Sequence, residues 1–150
     1  IAMAYILIVG GELNGPVIGA IFTIVGFAAY GKHPRNIVPI MAGVFLGSLA
    51  KPWNVDDPSI LLAALFGTTL APIAGRFGWH WGVVAGFVHS SAALTVGPLH
   101  AGLNLYNNGF AAGIVASVLA PVILAIQSRT RRGDAAASEP GAAPAPERRE

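Results

Sequence analysis

The chain has 150 residues, of which 54% are hydrophobic and 11% are charged, and its mean hydropathy is +0.63. Soluble domains usually carry about 25% charged residues. Here five of the nine basic and four of the seven acidic residues follow position 128. The seven charges of the first 127 residues are too few to cover a water-soluble fold, so the composition predicts a chain surrounded by lipid.

Composition also excludes several kinds of partner and chemistry. The net charge is only +2, and because no predicted face gathers Lys and Arg, we expect no nucleic-acid partner. The absence of cysteine excludes disulfides, thiol catalysis and cysteine metal sites. Residues 1–9 resemble the end of a longer apolar segment and show no cleavable signal peptide, so we expect the chain to be a fragment of a larger protein.

Five apolar runs follow this first segment, at residues 13–30, 37–50, 59–75, 79–97 and 109–127. Four of them have the roughly 17–25 residues of a membrane-spanning helix. The run at 37–50 is shorter and is either a short spanning helix, a half-span or a re-entrant element. We therefore predict an all-α integral membrane protein in which residues 1–127 form a bundle of about six transmembrane helices.

Charges between the runs predict the orientation of the bundle, because short cytoplasmic loops are enriched in Lys and Arg. If every run crosses once and Arg129–Arg132 lies inside, the other basic residues fall inside and the acidic ones outside, except for Lys51. The inside group is Lys32, Arg35 and Arg76, and the outside group is Glu12, Asp56 and Asp57. The prediction is a multi-pass protein of the bacterial inner membrane with a cytoplasmic C terminus.

The end of the chain differs from the rest in composition. The stretch GDAAASEPGAAPAPERRE contains no large apolar residue, so it cannot bury a core. We expect residues 128–150 to form a disordered cytoplasmic tail.

Glycines recur at intervals of four residues, close to one helical turn, and so form flat faces on the predicted helices. The sets are Gly15 and Gly19; Gly43 and Gly47; Gly78, Gly82 and Gly86; and Gly109 and Gly113. Such faces let helix backbones approach closely in lipid, either within the chain or between copies of it in a homo-oligomer. Pro72 and Pro121 lie inside apolar runs, where each is expected to kink its helix and free a carbonyl.

Two segments of the chain share a pattern of Asn-Gly, three residues, Gly and an apolar run. NGPVIGAIFTIV begins at Asn14, and NGFAAGIVASVL begins at Asn108. Either a common Asn-Gly turn recurs by chance, or the match marks two related units, as transporters often have. With six crossings, both helices run from outside to inside. Each Asn is also a candidate N-cap, because its side-chain oxygen can accept from the first helical turn.

Polar side chains gather just before the last apolar run, where glycines and a proline favour an irregular backbone. They are His100, Asn104, Asn107 and Asn108. One interpretation is a solvated outer loop in which Asn108 only caps the helix. The other is a broken helix within the membrane, whose N terminus binds a polar solute or an anion beside these side chains.

His89 falls near the middle of the 79–97 run, where a polar side chain is costly unless it finds a partner. One interpretation is a neutral histidine that donates one bond to a neighbouring helix. The other is a pore-lining or proton-carrying group, because an imidazole titrates near neutral pH. The sequence leaves both interpretations open.

Motifs of enzymes and metal sites are missing from the sequence. There is no HExxH, nucleophile elbow, phosphate loop or mid-run pair of acids. His80 and His89 are nine residues apart, which puts them on opposite faces of a helix. We therefore expect no metal, no cofactor and no enzymatic activity in this chain.

The segments GFAAYGKHPRNIVPIMAGVFLG (Gly26 to Gly47) and GPLHAGLNLYNNGFAAGIVA (Gly97 to Ala116) resemble an uncharacterised family of bacterial multi-pass membrane proteins, catalogued as a domain of unknown function. The likeness covers about the first 127 residues and corresponds to the C-terminal part of the family's proteins. It implies a membrane fold and no particular activity. A fainter likeness is to urea-channel-like proteins, in which small-residue helices surround a narrow pore, although their pore-lining residues have no clear match here.

Two hypotheses on function follow from these patterns. The first is a transporter or channel for a small polar solute, whose hydrogen-bonding groups are Asn14, His89, His100, Asn104, Asn107 and Asn108. The second is a non-transporting membrane scaffold that binds other helices through its glycine faces, in which case Gly82→Leu would destroy association. A membrane-embedded enzyme is a weaker third, because this chain lacks an acid, base and nucleophile.

Overall fold

The computed structural model describes residues 1–101 and 107–138, apart from the side chains of His100 and of residues 134–138. The regular elements of this part of the chain are helices, so the predicted all-α class is confirmed for it. The α-helices are α1 (Ala2–Ile8), α2 (Gly15–Ala28), α3 (Pro34–Leu49), α4 (Pro58–Gly67), α5 (Ala71–Phe77), α6 (Trp79–Thr95) and α7 (Asn107–Ser138). Short 3-10 segments follow α4 and α6, at Thr68–Leu70 and Gly97–His100.

The helices begin and end where the sequence supplies caps and breakers. Asn14 caps α2, since its Oδ1 accepts from the backbone N–H of Val17 at 3.0 Å, and this part of the N-cap prediction is confirmed. After α2 the chain turns at Gly31, whose φ of +93° suits glycine. Pro34 opens α3, where its missing N–H costs no helical bond.

Within the described residues, two helical stretches are long and apolar enough to cross a membrane, at Pro58–Phe77 and Asn107–Gly133. The prediction that four of the five runs reach this length is therefore too generous. The runs at 13–30 and 79–97 are longer than the helices they form, because α2 stops before the turn at Gly31 and α6 stops before Gly97 and Pro98. A residue that precedes proline is disfavoured in the α region, which ends α6 there.

The closest helix crossing in the described fold joins α3 and α6. A Cβ added at Gly43 would overlap the Val83 carbonyl oxygen, and one added at Gly86 would overlap the Ile40 carbonyl oxygen. Gly82 approaches Pro39 and Gly47 approaches Ser90 in the same interface. The contact positions advance together along the two helices, so α3 and α6 run parallel. Their glycine faces pack against each other inside the chain.

Neighbouring passes of the chain alternate in direction. Ile60 packs beside Val44, while Gly67 packs beside Ile40 further along, so the α4–α5 stretch runs antiparallel to α3. α7 runs antiparallel to α6, since Asn107 contacts Ala93 near the end of α6 and residues of the last turns meet its beginning. The run at 37–50 thus forms a full 16-residue helix within this alternation, and whether it spans a membrane stays a prediction.

Basic residues meet at one end of this arrangement. Arg76 and Arg131 line the same surface depression, and His80 shares another with Arg131. At the opposite end, Gly11 beside Glu12 contacts Leu61 in the first turn of α4. We call these the basic end and the acidic end, the latter containing Glu12, Asp56 and Asp57.

α7 continues beyond the expected start of the tail. It passes through Pro121 and Gly133 and ends at Ser138, so the predicted boundary at 127 and 128 falls inside a helix. Arginine and alanine favour helix, and propagating an existing helix is easier than starting one. Residues 139–150 lie outside the described residues, and their predicted disorder stays a prediction.

Candidate functional site

The stretch from Pro58 to Phe77 is broken in its middle. α4 ends at Gly67, a 3-10 turn covers Thr68–Leu70, and α5 begins at Ala71. Pro72 explains the break, because it has no N–H to donate to the Thr68 carbonyl and its ring crowds the preceding turn. The 3-10 turn lies where Pro72 was expected to disturb its helix, whereas α7 continues through Pro121, and the predicted kinks stay predictions.

His89 of α6 lies against this break. Its side chain is 0% exposed, and a Cβ added at Gly67 would be 2.8 Å from His89 Cδ2 and 3.2 Å from Nε2. Only the missing side chain of Gly67 therefore lets the imidazole reach the broken helix. Neither ring nitrogen has a hydrogen-bond partner among the described residues. Burying such groups unpaired is costly, so they are expected to bind a polar group.

The Asn108 side chain lies beside the His89 imidazole, although no pair of their atoms meets hydrogen-bond geometry. Its Oδ1 is buried and has no partner within the described part of the chain. α7 begins at Asn107, so Asn108 lies in the first turn, and the prediction that it caps the helix is wrong. The reason is tertiary: Asn107 donates from its amide to the Ala93 carbonyl at the end of α6, which turns Asn108 toward His89.

The structure thus brings together three of the six predicted site residues, His89, Asn107 and Asn108, where α6 meets α7. Asn14 instead caps α2, which packs chiefly against α4. His100 lies in the 3-10 segment after α6, and its side chain lies outside the described residues, as does Asn104. The roles predicted for these residues stay predictions.

Two lysines lie near the His89–Asn108 pair. The sequence analysis used them only to predict the orientation of the helices. Lys32 Nζ donates to Thr68 Oγ1 at 2.9 Å, and this threonine sits in the helix break and is 0% exposed. Lys51 Nζ donates to the Phe87 carbonyl at 3.0 Å and to Ser90 Oγ at 2.9 Å. The signal for Lys51 was its position, because it was the one basic residue that broke the predicted charge pattern.

Burial lowers the pKa of Lys32 and, in the same direction, the pKa of Lys51, because both ammonium groups lose part of their hydration. Lys51 gains aromatic contacts in return, with its Nζ 4.3 Å from the ring centroid of Phe87 and 5.3 Å from that of Trp53. In the described residues, no group of three or more His, Cys, Asp or Glu side chains could hold a metal ion.

In the described residues, the fold and the site define an all-helical protein with a polar pair beside a helix break, the buried His89 and the half-buried Asn108. Residues 1–125 match the family described as Protein of unknown function (DUF1576), and the chain belongs to that family. The predicted resemblance to an uncharacterised family is confirmed. No curated protein and no solved structure matches the chain. The likeness to urea channels therefore stays an expectation.

Proposed function

We propose that the chain is the membrane-embedded part of a transporter or channel for a small polar solute, which forms hydrogen bonds with His89 and Asn108 at the helix break. The observation that carries this proposal is the fully buried imidazole with both nitrogens unpartnered in the described residues. It is joined there by the equally unpartnered Oδ1 of Asn108. A solute with both donors and acceptors would satisfy these groups.

The distribution of polar and apolar side chains supports a lipid environment. Thr68, His89 and Ser90 are completely buried, whereas Phe22 is 68% exposed and Val118 is 62% exposed. Large exposed apolar surfaces are rare on soluble monomers, and they are what lipid-facing helices present. The separation of a basic end from an acidic end fits the same interpretation, with the basic end on the cytoplasmic side.

The position of the pair along the helices suits a transport site. Gly67, which contacts the imidazole, is the tenth residue of the twenty between Pro58 and Phe77. If that stretch spans the bilayer, the pair lies near mid-depth, where transporters commonly bind their substrates beside discontinuous helices. The imidazole supplies one donor and one acceptor, and the Asn108 amide supplies an acceptor that no described residue uses.

Solute flux into vesicles tests the proposal. The purified full-length protein is reconstituted in liposomes, and swelling is followed by light scattering with urea, formamide, acetamide and glycerol. We expect at least one solute to enter faster than in empty vesicles, and His89→Leu and Asn108→Leu to abolish the increase. His80→Leu and Asn54→Leu are matched controls, because both residues are exposed. Equal flux in the site variants and the controls would refute the assignment.

The scaffold hypothesis keeps one specific observation in its favour. No described atom lies within 4 Å of a Cβ added at Gly15, Gly19 or Gly113, so the described fold leaves these faces open for another helix. Gly82 is no test of association, since its Cβ would be 2.7 Å from the Ala74 Cβ inside the chain. The better test is Gly19→Leu: if it abolishes dimerisation in detergent while flux is absent from the wild type, the scaffold function is favoured.

A further inference from the structure

A cavity lies on the basic side of the helix break, and neither His89 nor Asn108 lines it. It has a volume of about 380 Å³ and opens between the end of α2, the start of α3 and the break. Lys32 and Thr69 provide polar walls, and Phe27, Tyr30 and Pro72 provide apolar ones. The cavity is thus amphipathic, and Lys32 is the cation among its described lining residues.

No acid among the described side chains balances the charge of Lys32. Its Nζ donates to the Thr68 hydroxyl at 2.9 Å and lies 4.9 Å from the ring centroid of Phe27. Among the side chains that the structure describes, none forms an ion pair with Lys32, and Glu12, Asp56 and Asp57 lie toward the acidic end. The ammonium carries three N–H donors, so the bond to Thr68 leaves two of them to be satisfied.

The neighbouring polar groups differ in whether they are already used. Asn36 donates to the Gly31 carbonyl at 2.9 Å and accepts from the His33 backbone N–H at 2.9 Å, so its amide holds the loop rather than a ligand. The Thr69 side chain is exposed to the cavity opening and donates to no described partner. Lys32 and Thr69 are therefore polar side chains at the break that remain for a ligand.

We infer that this cavity binds the carboxylate of a small organic acid, with the Lys32 ammonium and the Thr69 hydroxyl on the carboxylate oxygens and the apolar body against Phe27, Tyr30 and Pro72. An anion satisfies the remaining ammonium donors by charge-assisted hydrogen bonds, which are stronger than neutral ones. An inorganic anion would leave the aromatic and proline walls unused, whereas a short carboxylic acid covers them. This site stands whether or not the His89–Asn108 pair carries a solute.

Calorimetric titration of the purified full-length protein in detergent with sodium butyrate tests the inference. We expect binding in the wild type and an at least tenfold weaker Kd in Lys32→Met, which corresponds to about one lost charge-assisted hydrogen bond. Arg35→Met is the matched control, because Arg35 is an exposed base three residues further on, and it should leave the Kd unchanged. Lys32→Arg should restore part of the binding.

Three further measurements keep the inference falsifiable. Butyramide, which has the same shape without the charge, should not bind, and inorganic phosphate should bind more weakly than butyrate. Thr69→Val alters an exposed side chain and so should fold, and it should weaken butyrate binding severalfold. The inference is overturned if the wild type fails to bind butyrate, if butyramide or phosphate binds as tightly, or if folded Lys32→Met and Thr69→Val both bind normally.

Discussion

The imidazole of His89 rests on the backbone of Gly67, so close that a Cβ at position 67 would be 2.8 Å from Cδ2 of the ring. Gly67 itself has ordinary helical dihedrals, with φ of −56° and ψ of −23°. Position 67 therefore requires glycine because of the neighbouring imidazole and not because of its backbone conformation. The helix break and the buried histidine are one structural unit.

Gly67→Ala should disturb this unit specifically. The added methyl group forces the buried imidazole to shift, because the contact distance is shorter than real Cβ contacts allow. We expect an unfolding free energy lower by about 1 kcal/mol, at the mild end of overpacking, together with a marked loss of solute flux. Denaturant titration in detergent and vesicle swelling measure the two effects.

Gly26→Ala is the control for that substitution, since nothing lies within 4 Å of a Cβ at position 26. Alanine is better than glycine in a helix by up to about 1 kcal/mol, so this variant should be as stable as the wild type or slightly more stable. If Gly67→Ala matched Gly26→Ala in both stability and flux, the contact with His89 would contribute to neither.

Gly86→Ala should damage the fold itself. A Cβ at this position overlaps the backbone carbonyl of Ile40, and a backbone group cannot rotate away as a side chain can. We expect the α3–α6 crossing to separate, with a loss at or above the upper end of the ~1–3 kcal/mol typical of overpacked cores. Thermal unfolding in detergent checks it, and Gly19→Ala, on an open face, should show no such loss.

Lys51→Met should destabilise α6 beside His89, because Lys51 bonds the residues on either side of that histidine. Lys51 Nζ bonds the Phe87 carbonyl and Ser90 Oγ, and hydrogen bonds to charged groups contribute about 1.5–3 kcal/mol. We expect the free energy of unfolding to fall by an amount within that range. The loss is reduced because Ser90 Oγ also donates to the Phe87 carbonyl, at 2.8 Å. Unfolding by denaturant measures it. An effect no larger than that of Arg35→Met, at an exposed position, would show that Lys51 is only a surface charge.

Local features of the fold could be predicted from the sequence, because they depend on neighbouring residues. Asn14 caps α2 through a bond to Val17 three residues away, and Pro72 breaks its helix through the adjacent turn. The place of His89 in an apolar run marked it as a residue to examine, but it left open whether the side chain is bonded to a neighbouring helix or lines a pore. Each of these features depends on residues that are a few positions apart in the chain, or on the hydropathy of the run.

Tertiary relationships could not be predicted in the same way. Lys51 reaches Phe87 across 36 residues of sequence, and Asn108 faces His89 instead of capping α7 because Asn107 bonds α6. The glycine spacing did not reveal which faces are used, since Gly43 and Gly86 meet inside the chain while Gly19 and Gly113 are open. Such pairings depend on how helices cross, which a single sequence does not specify.

The central claim is that these helices cross a bilayer with the basic end on the cytoplasmic side, and cysteine labelling tests it most directly. The 150 residues contain no cysteine. Each single cysteine substitution can therefore be labelled by itself, once any cysteine elsewhere in the full-length protein has been replaced. The positions are all exposed: Arg35, Arg129, Glu12 and Asp56.

In intact cells, a membrane-impermeant maleimide should label Glu12→Cys and Asp56→Cys, and should label Arg35→Cys and Arg129→Cys only after the membrane is permeabilised. Labelling of Arg35→Cys and Arg129→Cys from opposite sides, or recovery of the protein as a soluble monomer without detergent, would contradict the account.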